Sequence, residues 1–276
     1  MKRILTIQDI SCVGKCSLTV ALPVISAFGV ETAVLPTAVL STHTAFKGFT
    51  FRDLTSDMLP NAKHWKEQNI GFDALYTGYL GSFEQLNIVT EIFKQFKTDG
   101  NFILVDPVMA DNGKLYPGFD KDFAASMAKL CAHADIIVPN LTEASYLLGQ
   151  EYMGNNYDED YVKCTLKALT DLGAKKAVLT GISLDKNKLG VYGYDRHKDT
   201  YFSYYREHLP VSFHGTGDVF ASALCGALTI GKSLEESLKI AVDFTVDSIS
   251  KTIDNPDRNW YGVEFENALP NLIKSL

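Results

Sequence analysis

Two neighbouring stretches of this chain have the composition of a phosphate-binding loop, and they imply different chemistry. The first, Gly215-Thr216-Gly217-Asp218, sets two glycines and a carboxylate at the start of a helical pattern. Glycines let a backbone come close to a ligand, and the first amides of a helix are unpaired donors carrying partial positive charge. Such amides can cradle a transferring phosphoryl group, with Asp218 placed to act as a general base. The second stretch, "GALTIGKS" (226–233), matches the P-loop pattern letter for letter. Its surroundings argue against a P-loop, which needs a strand before it. Phe220, Ala223, Leu224 and Ala227 recur at helical spacing and place Gly226 inside an amphipathic helix. Gly231 reads as a helix-terminating glycine, and Ser233 with Glu236 as a capping box opening the next helix. The expectation is a helix-to-helix joint with Lys232 a solvated lysine.

The residues that could work with Asp218 must be brought to it by the fold. Short apolar, β-branched runs recur at 3–8, 32–36, 73–78, 102–106, 135–140 and 176–181, and helical spacing fills 15–28, 83–97 and 158–172. Alternation of this kind predicts βαβ units and a mostly parallel sheet with helices on both faces. Residues 189–194 and 200–206 flank a polar turn and read as an antiparallel hairpin at a sheet edge, and the remainder (217–230, 234–251, 263–275) reads as helical. No linker or repeat interrupts the chain, so residues 1–276 are expected to form one domain. Ligands of such sheets collect beyond the carboxyl ends of the strands. That position selects Asp106, Glu143, Thr180, His43, Thr44 and Tyr79 as groups converging on one rim. Asp106 and Glu143 could hold a hydrated Mg²⁺, leaving Asp218 free as base, which describes phosphoryl transfer from a nucleotide without a P-loop. Each has a plainer reading: Asp218 as the N-cap of a simple capped turn, which the other carboxylates on the rim outweigh, Glu143 as a helix cap, Asp106 as a strand end before Pro107, Tyr79 as a core aromatic, His43 as a backbone partner.

Composition narrows the class further. A formal charge of −7 argues against a general nucleic-acid binder. The five cysteines are odd in number and scattered, which fits a reducing compartment; Cys12 and Cys16 read as small buried residues rather than half a metal site. No signal-peptide pattern and no membrane-length apolar run is present, so a cytoplasmic protein without a membrane partner is expected.

Taken together, "GTGD" before a long helix, "DPVM" after an apolar strand and "PNLTEASYLLG" resemble the ribokinase superfamily. "ILTIQDISCVGKCS", "AVLSTHT" and "GYLGS" look like its pyridoxal/pyridoxamine kinase branch. The resemblance implies a ribokinase-like three-layer fold and ATP-dependent phosphorylation of the 5′-hydroxymethyl group of a vitamin B6 vitamer. Asp218 would be the base and Gly215, Thr216 and Gly217 the anion hole. Asp106, Val138, Glu143, Thr180 and Arg206 would serve ATP, with Mg²⁺ held by Asp106 and Glu143 through water. Asp9, His43, Thr44 and Tyr79, with Asp218, would meet the vitamer. It also implies a homodimer and leaves dependence on a monovalent cation open. The chain departs from that branch in carrying Asp9 for Ser, Thr42 for Asn and Val138 for Thr. His214 is reminiscent of hydroxymethylpyrimidine phosphate kinases, which have Cys at the position of Asp218. Three alternatives stand beside the leading one: a hydroxymethylpyrimidine kinase, a non-catalytic regulator binding B6 or nucleotide, and a P-loop ATPase.

Overall fold

The computed structural model describes residues 1–276, which divide into two compact units, Met1–Gly78 with Leu209–Leu276, and Tyr79–His208. The first unit begins with β1 (Arg3–Val13), α1 (Leu18–Ala27), β2 (Glu31–Thr42), β3 (Phe51–Asp53), α2 (Thr55–Glu67) and β4 (Ala74–Thr77). β1 is flanked by β4 and β2, both parallel to it, and β3 closes the edge antiparallel to β2. Ile4, Leu5 and Ile7 are wholly buried, as expected for a strand covered on both faces. β1 and β2 run well past the apolar runs that announce them. The β1–β2 register slips between Gln8 and Ile10, so Asp9 sits at a bulge, a device that re-aims a side chain.

The second unit contains α3 (Phe83–Phe96), β5 (Phe102–Val105), β6 (Ala110–Asp111), β7 (Lys114–Leu115), α4 (Lys121–Cys131), β8 (Ile136–Ile137), α5 (Leu141–Leu148), α6 (Glu159–Asp171), β9 (Lys176–Ile182), β10 (Lys188–Asp195) and β11 (Thr200–Glu207). β5, β8 and β9 are parallel neighbours, and β10 and β11 extend them as the expected antiparallel hairpin. The β6–β7 ribbon stands apart from that sheet. The α/β class with mostly parallel strands and an edge hairpin is as the sequence implies.

The chain then returns to the first unit with α7 (Thr216–Thr229), α8 (Leu234–Asp254), a 3₁₀ turn (Phe265–Asn267) and α9 (Leu269–Ser275). The expected continuous helix over 263–275 is thus a turn followed by a short helix, the break falling before Pro270, which occupies the first turn of α9. "GALTIGKS" is a helix-to-helix joint. Gly226 lies buried within α7, and a Cβ there would meet the Phe28 ring at 2.5 Å. Gly231 adopts φ 93°; its N–H bonds Leu228 O (3.0 Å) and that of Lys232 bonds Ala227 O (3.1 Å), a Schellman closure. Ser233 and Glu236 cap α8 reciprocally. The backbone amides that a P-loop would offer to phosphate are spent on helix termini, which excludes the P-loop ATPase. Lys232 is half-buried rather than fully solvated. No helix is long and apolar enough to cross a membrane.

Candidate active site

In the first unit the Gly-Thr-Gly-Asp loop opens α7 as its composition predicts. Gly215 is the N-cap at φ 79°, and the first intrahelical bond runs from Val219 N–H to Gly215 O (3.0 Å). The amides of Thr216, Gly217 and Asp218 therefore have no acceptor within the helix. Nothing lies within 4 Å of the place a Gly217 Cβ would occupy, so space is open above them. Gly215 is crowded instead: a Cβ there would collide with the Lys15 carbonyl. Only a glycine meets both demands, the positive φ and the close backbone approach.

The loop it meets, residues 14–17, joins β1 to α1 through an irregular path, with Lys15 and Ser17 both at φ 51°. The Ser17 backbone amide faces the Asp218 carboxyl and favours its ionised form. Burial raises the Asp218 carboxyl to about 7; the Ser17 amide opposes that shift, and the charge of Asp9 adds to it. Asp9 is 4% exposed and accepts hydrogen bonds from Ser11 Oγ (2.9 Å) and Ser17 Oγ (2.6 Å). Burial pushes its carboxyl up too, against those two hydroxyls. The Cys16 thiol is pushed up to about 12 by burial and then by Asp218 and Asp9, so it is neutral at ordinary pH. Cys12 is exposed and Cys16 only partly covered, contrary to the expectation that both are buried; every cysteine is free.

His43 is buried beside this group. Its Nδ1 accepts the Ala45 N–H (3.2 Å), so Nε2 carries the proton and donates to Tyr261 O (3.0 Å). Burial, followed by the neighbouring His214, holds its pKa below the usual imidazole value. With both nitrogens committed, His43 offers a ring face rather than a proton. Its ring lies 5.0 Å from those of Phe46 and His214 and 6.0 Å from that of Trp260, which is 60% exposed. A wall of this kind suits a flat heteroaromatic acceptor. Thr44 is exposed. Asp218, Gly215–Gly217, Asp9 and His43 are thus brought together within this unit. Ser11, Ser17, Phe46 and Trp260 join them unannounced; the "DISCVGKCS" segment held the signal for the serines.

In the second unit, Asp106 directly follows β5 and is 7% exposed. Glu143 is the third residue of α5 and forms a capping box with Asn140. Its Oε2 accepts Asn140 N–H (2.9 Å) and its Oε1 accepts Met109 N–H (3.2 Å). Burial pushes this carboxyl up, and the amides of Asn140, Met109 and Ala110 work against the shift. Both acids are near enough to the buried Cys131 thiol to raise it further. Asn140 Nδ2 also bonds Ala110 O (2.9 Å), and Thr142 Oγ accepts Gly113 N–H (3.0 Å), so α5 fixes the β6–β7 ribbon. Val138 is buried, its N–H on Val105 O (3.1 Å), and Thr180 is bridged to Asn140. Tyr79 packs on Phe119 with ring centroids 5.6 Å apart. Arg206 is exposed on β11.

No cluster of three or more His, Cys, Asp or Glu side chains is poised to chelate a metal. Each Glu143 oxygen already accepts an amide and keeps lone pairs to spare. That donor set fits a Mg²⁺ ion that retains its waters better than a directly bound one.

Comparison with known proteins follows the same lines. A family model described as phosphomethylpyrimidine kinase matches residues 20–259. A Bacteroides thetaiotaomicron protein described as a candidate phosphomethylpyrimidine kinase, in a crystal form with pyridoxal, is 39% identical. It superposes with a TM-score of 0.92, covering 98% of this chain and 95% of that one. The pyridoxal kinase of Lactobacillus plantarum is 32% identical with a TM-score of 0.90, over 100% of this chain and 98% of its own. The Arabidopsis thaliana pyridoxal kinase is 25% identical across 99% of this chain and 89% of its own length.

Proposed function

The chain belongs to the phosphomethylpyrimidine kinase family, and from that premise we propose that it transfers the γ-phosphoryl group of ATP to the 5′-hydroxymethyl group of a vitamin B6 vitamer. The observation that carries this reading is Asp218. It sits at the mouth of a helix with unpaired amides, its carboxyl raised to about 7. A base near neutrality can accept the alcohol proton while the amides of residues 215–217 receive the developing charge on the phosphoryl oxygens. Pyridoxal in the crystal of a relative 39% identical supports the choice of vitamer over pyrimidine, as does a carboxylate rather than a thiol at position 218.

The remaining roles follow. The His43 ring face and its aromatic neighbours stack on the acceptor ring, and Thr44 and Tyr79 are assigned to the same substrate. Val138, Thr180 and Arg206 border the nucleotide. Asp106 and Glu143 hold Mg²⁺ through water, and when bound the ion neutralises phosphate charge. Asp9 belongs to the acceptor side. Residues 1–276 act as one kinase domain in a cytoplasmic homodimer.

An ADP-release assay with Mg-ATP tests the reading, run on pyridoxal, pyridoxine, pyridoxamine and hydroxymethylpyrimidine, with and without potassium. Turnover is expected on at least one vitamer at a kcat/KM well above that on the pyrimidine. A reversed preference would transfer the chain to pyrimidine phosphorylation, and vitamer binding without ADP release would make it a non-catalytic binder.

A further inference from the structure

Ser17 is an N-cap that does not cap. A serine preceding a helix usually accepts an amide of the first turn with its hydroxyl, worth about 1 kcal/mol. Here α1 has no side-chain cap, and the Ser17 hydroxyl turns back to Asp9 Oδ1 at 2.6 Å. The residue also sits at φ 51°, ψ −133°, a conformation non-glycine residues adopt only where their surroundings impose it. Asp9 is aimed at it by the slip in register between β1 and β2. Its second oxygen takes Ser11 Oγ at 2.9 Å, so both carboxylate oxygens are engaged inside the protein. The strained serine in turn directs its amide to Asp218.

We propose that Asp9 is a positioning residue for the general base: its carboxylate anchors the Ser17 hydroxyl, and the Ser17 amide thereby fixes the carboxylate of Asp218. The proposal rests on the kinase reading, in that it takes Asp218 as the base. It replaces a direct contact between Asp9 and the acceptor ring with an action through the loop. The titratable groups facing Asp218 are Asp9 from β1 and Cys16 from the same loop, the thiol neutral; His43, whose ring lies 5.0 Å from that of His214, in turn faces Asp9.

The experiment compares Ser17→Ala, Asp9→Asn, their double variant and Asp218→Asn, with pyridoxal and Mg-ATP as substrates. It measures kcat, both KM values, Tm and the pH dependence of kcat/KM. Loss of the tether in Ser17→Ala should lower kcat about tenfold with little change in either KM. It should also move the acid limb to higher pH, because the amide that favours the ionised base is no longer held. Asp9→Asn keeps an acceptor for Ser17 but removes a like charge, so its acid limb should move to lower pH. The double variant should be no slower than Ser17→Ala, since both changes act on one linkage. A purely structural role would lower Tm and leave kcat and both limbs in place, overturning the proposal. A ring contact would appear as a raised pyridoxal KM in Asp9→Asn with an unmoved limb, which also overturns it. If Asp218→Asn itself keeps near-normal kcat, the kinase reading is what fails, whichever way the other variants behave.

Discussion

Asp218 and Glu143 both lie in the first turn of a helix, and burial pushes both carboxyls upward. Their partners differ. Glu143 answers backbone amides with each of its oxygens and closes a capping box, so its helix start and the β6–β7 ribbon depend on it. Asp218 has the single amide of Ser17 set against a neighbouring carboxylate, and its helix is capped by a glycine instead. One acid is invested in structure and the other is left free to exchange a proton. A shared upward push therefore says little about role; the number of donors facing each carboxylate says more.

The sharpest way to break the comparison is to neutralise each acid. Asp218→Asn should lower kcat by about 10²- to 10⁴-fold, the usual worth of a general base, with KM for ATP nearly unchanged. In the unaltered protein, kcat/KM should fall as pH drops through about 7, where Asp218 takes up its proton. Stability should move the other way. A carboxyl raised in the folded state favours folding most at low pH, and that advantage is lost as pH rises from the unfolded value toward 7. Asp218→Asn should thus melt at or above the parent temperature at pH 8, read by thermal unfolding. An Asn variant with full turnover would remove Asp218 from the mechanism.

Gly215→Ala should come next in size. The new methyl faces the Lys15 carbonyl at a φ of 79°, so either α7 or the 14–17 loop must shift, at a cost of about 1–3 kcal/mol. Because that loop carries the Ser17 amide, kcat should fall along with Tm. Glu143→Gln should cost about 1–3 kcal/mol, since its amide nitrogen would face a backbone N–H it cannot accept. Its Tm should fall where that of Asp218→Asn does not. If both variants moved Tm in the same direction at pH 8, the contrast between the two acids would be wrong.

Much of this was legible before the structure. Strand ends announced Asp106 and the neighbourhood of Glu143, and four letters announced the α7 loop, because each signal is local: a run of apolar residues, then a polar one at a strand exit. Glu143 as a cap was legible too, since it stands three residues after Asn140. What stayed hidden depends on contacts between distant segments. The Lys15 carbonyl against Gly215 joins opposite ends of the first unit, and the His43–Tyr261 bond spans 218 residues. The bulge at Asp9 leaves no trace in composition, and the apolar run that marks β1 stops at Gln8 while the strand runs to Val13. Cys12 read as buried for the same reason: the length by which β1 continues was not visible.

The smallest expected effect concerns the other glycine loop and tests whether composition alone can make a phosphate site. Lys232→Ala should leave kcat and both KM values within about twofold of the parent, because the Lys232 backbone closes α7 and no phosphate-binding turn surrounds its side chain. Ser233→Ala, one residue on, should cost about 1 kcal/mol of stability, since the hydroxyl bonds the Glu236 amide at 3.2 Å and receives no substitute once removed. Kinetics and thermal melts on the pair separate the readings. A P-loop would lose activity at Lys232 more than at Ser233, whereas a helix joint should lose only stability and lose it at the cap. The two loops share glycines, a following helix and a polar residue after the second glycine. They differ in whether the helix amides are left open or already bonded, and that difference decides which of them can meet a phosphate.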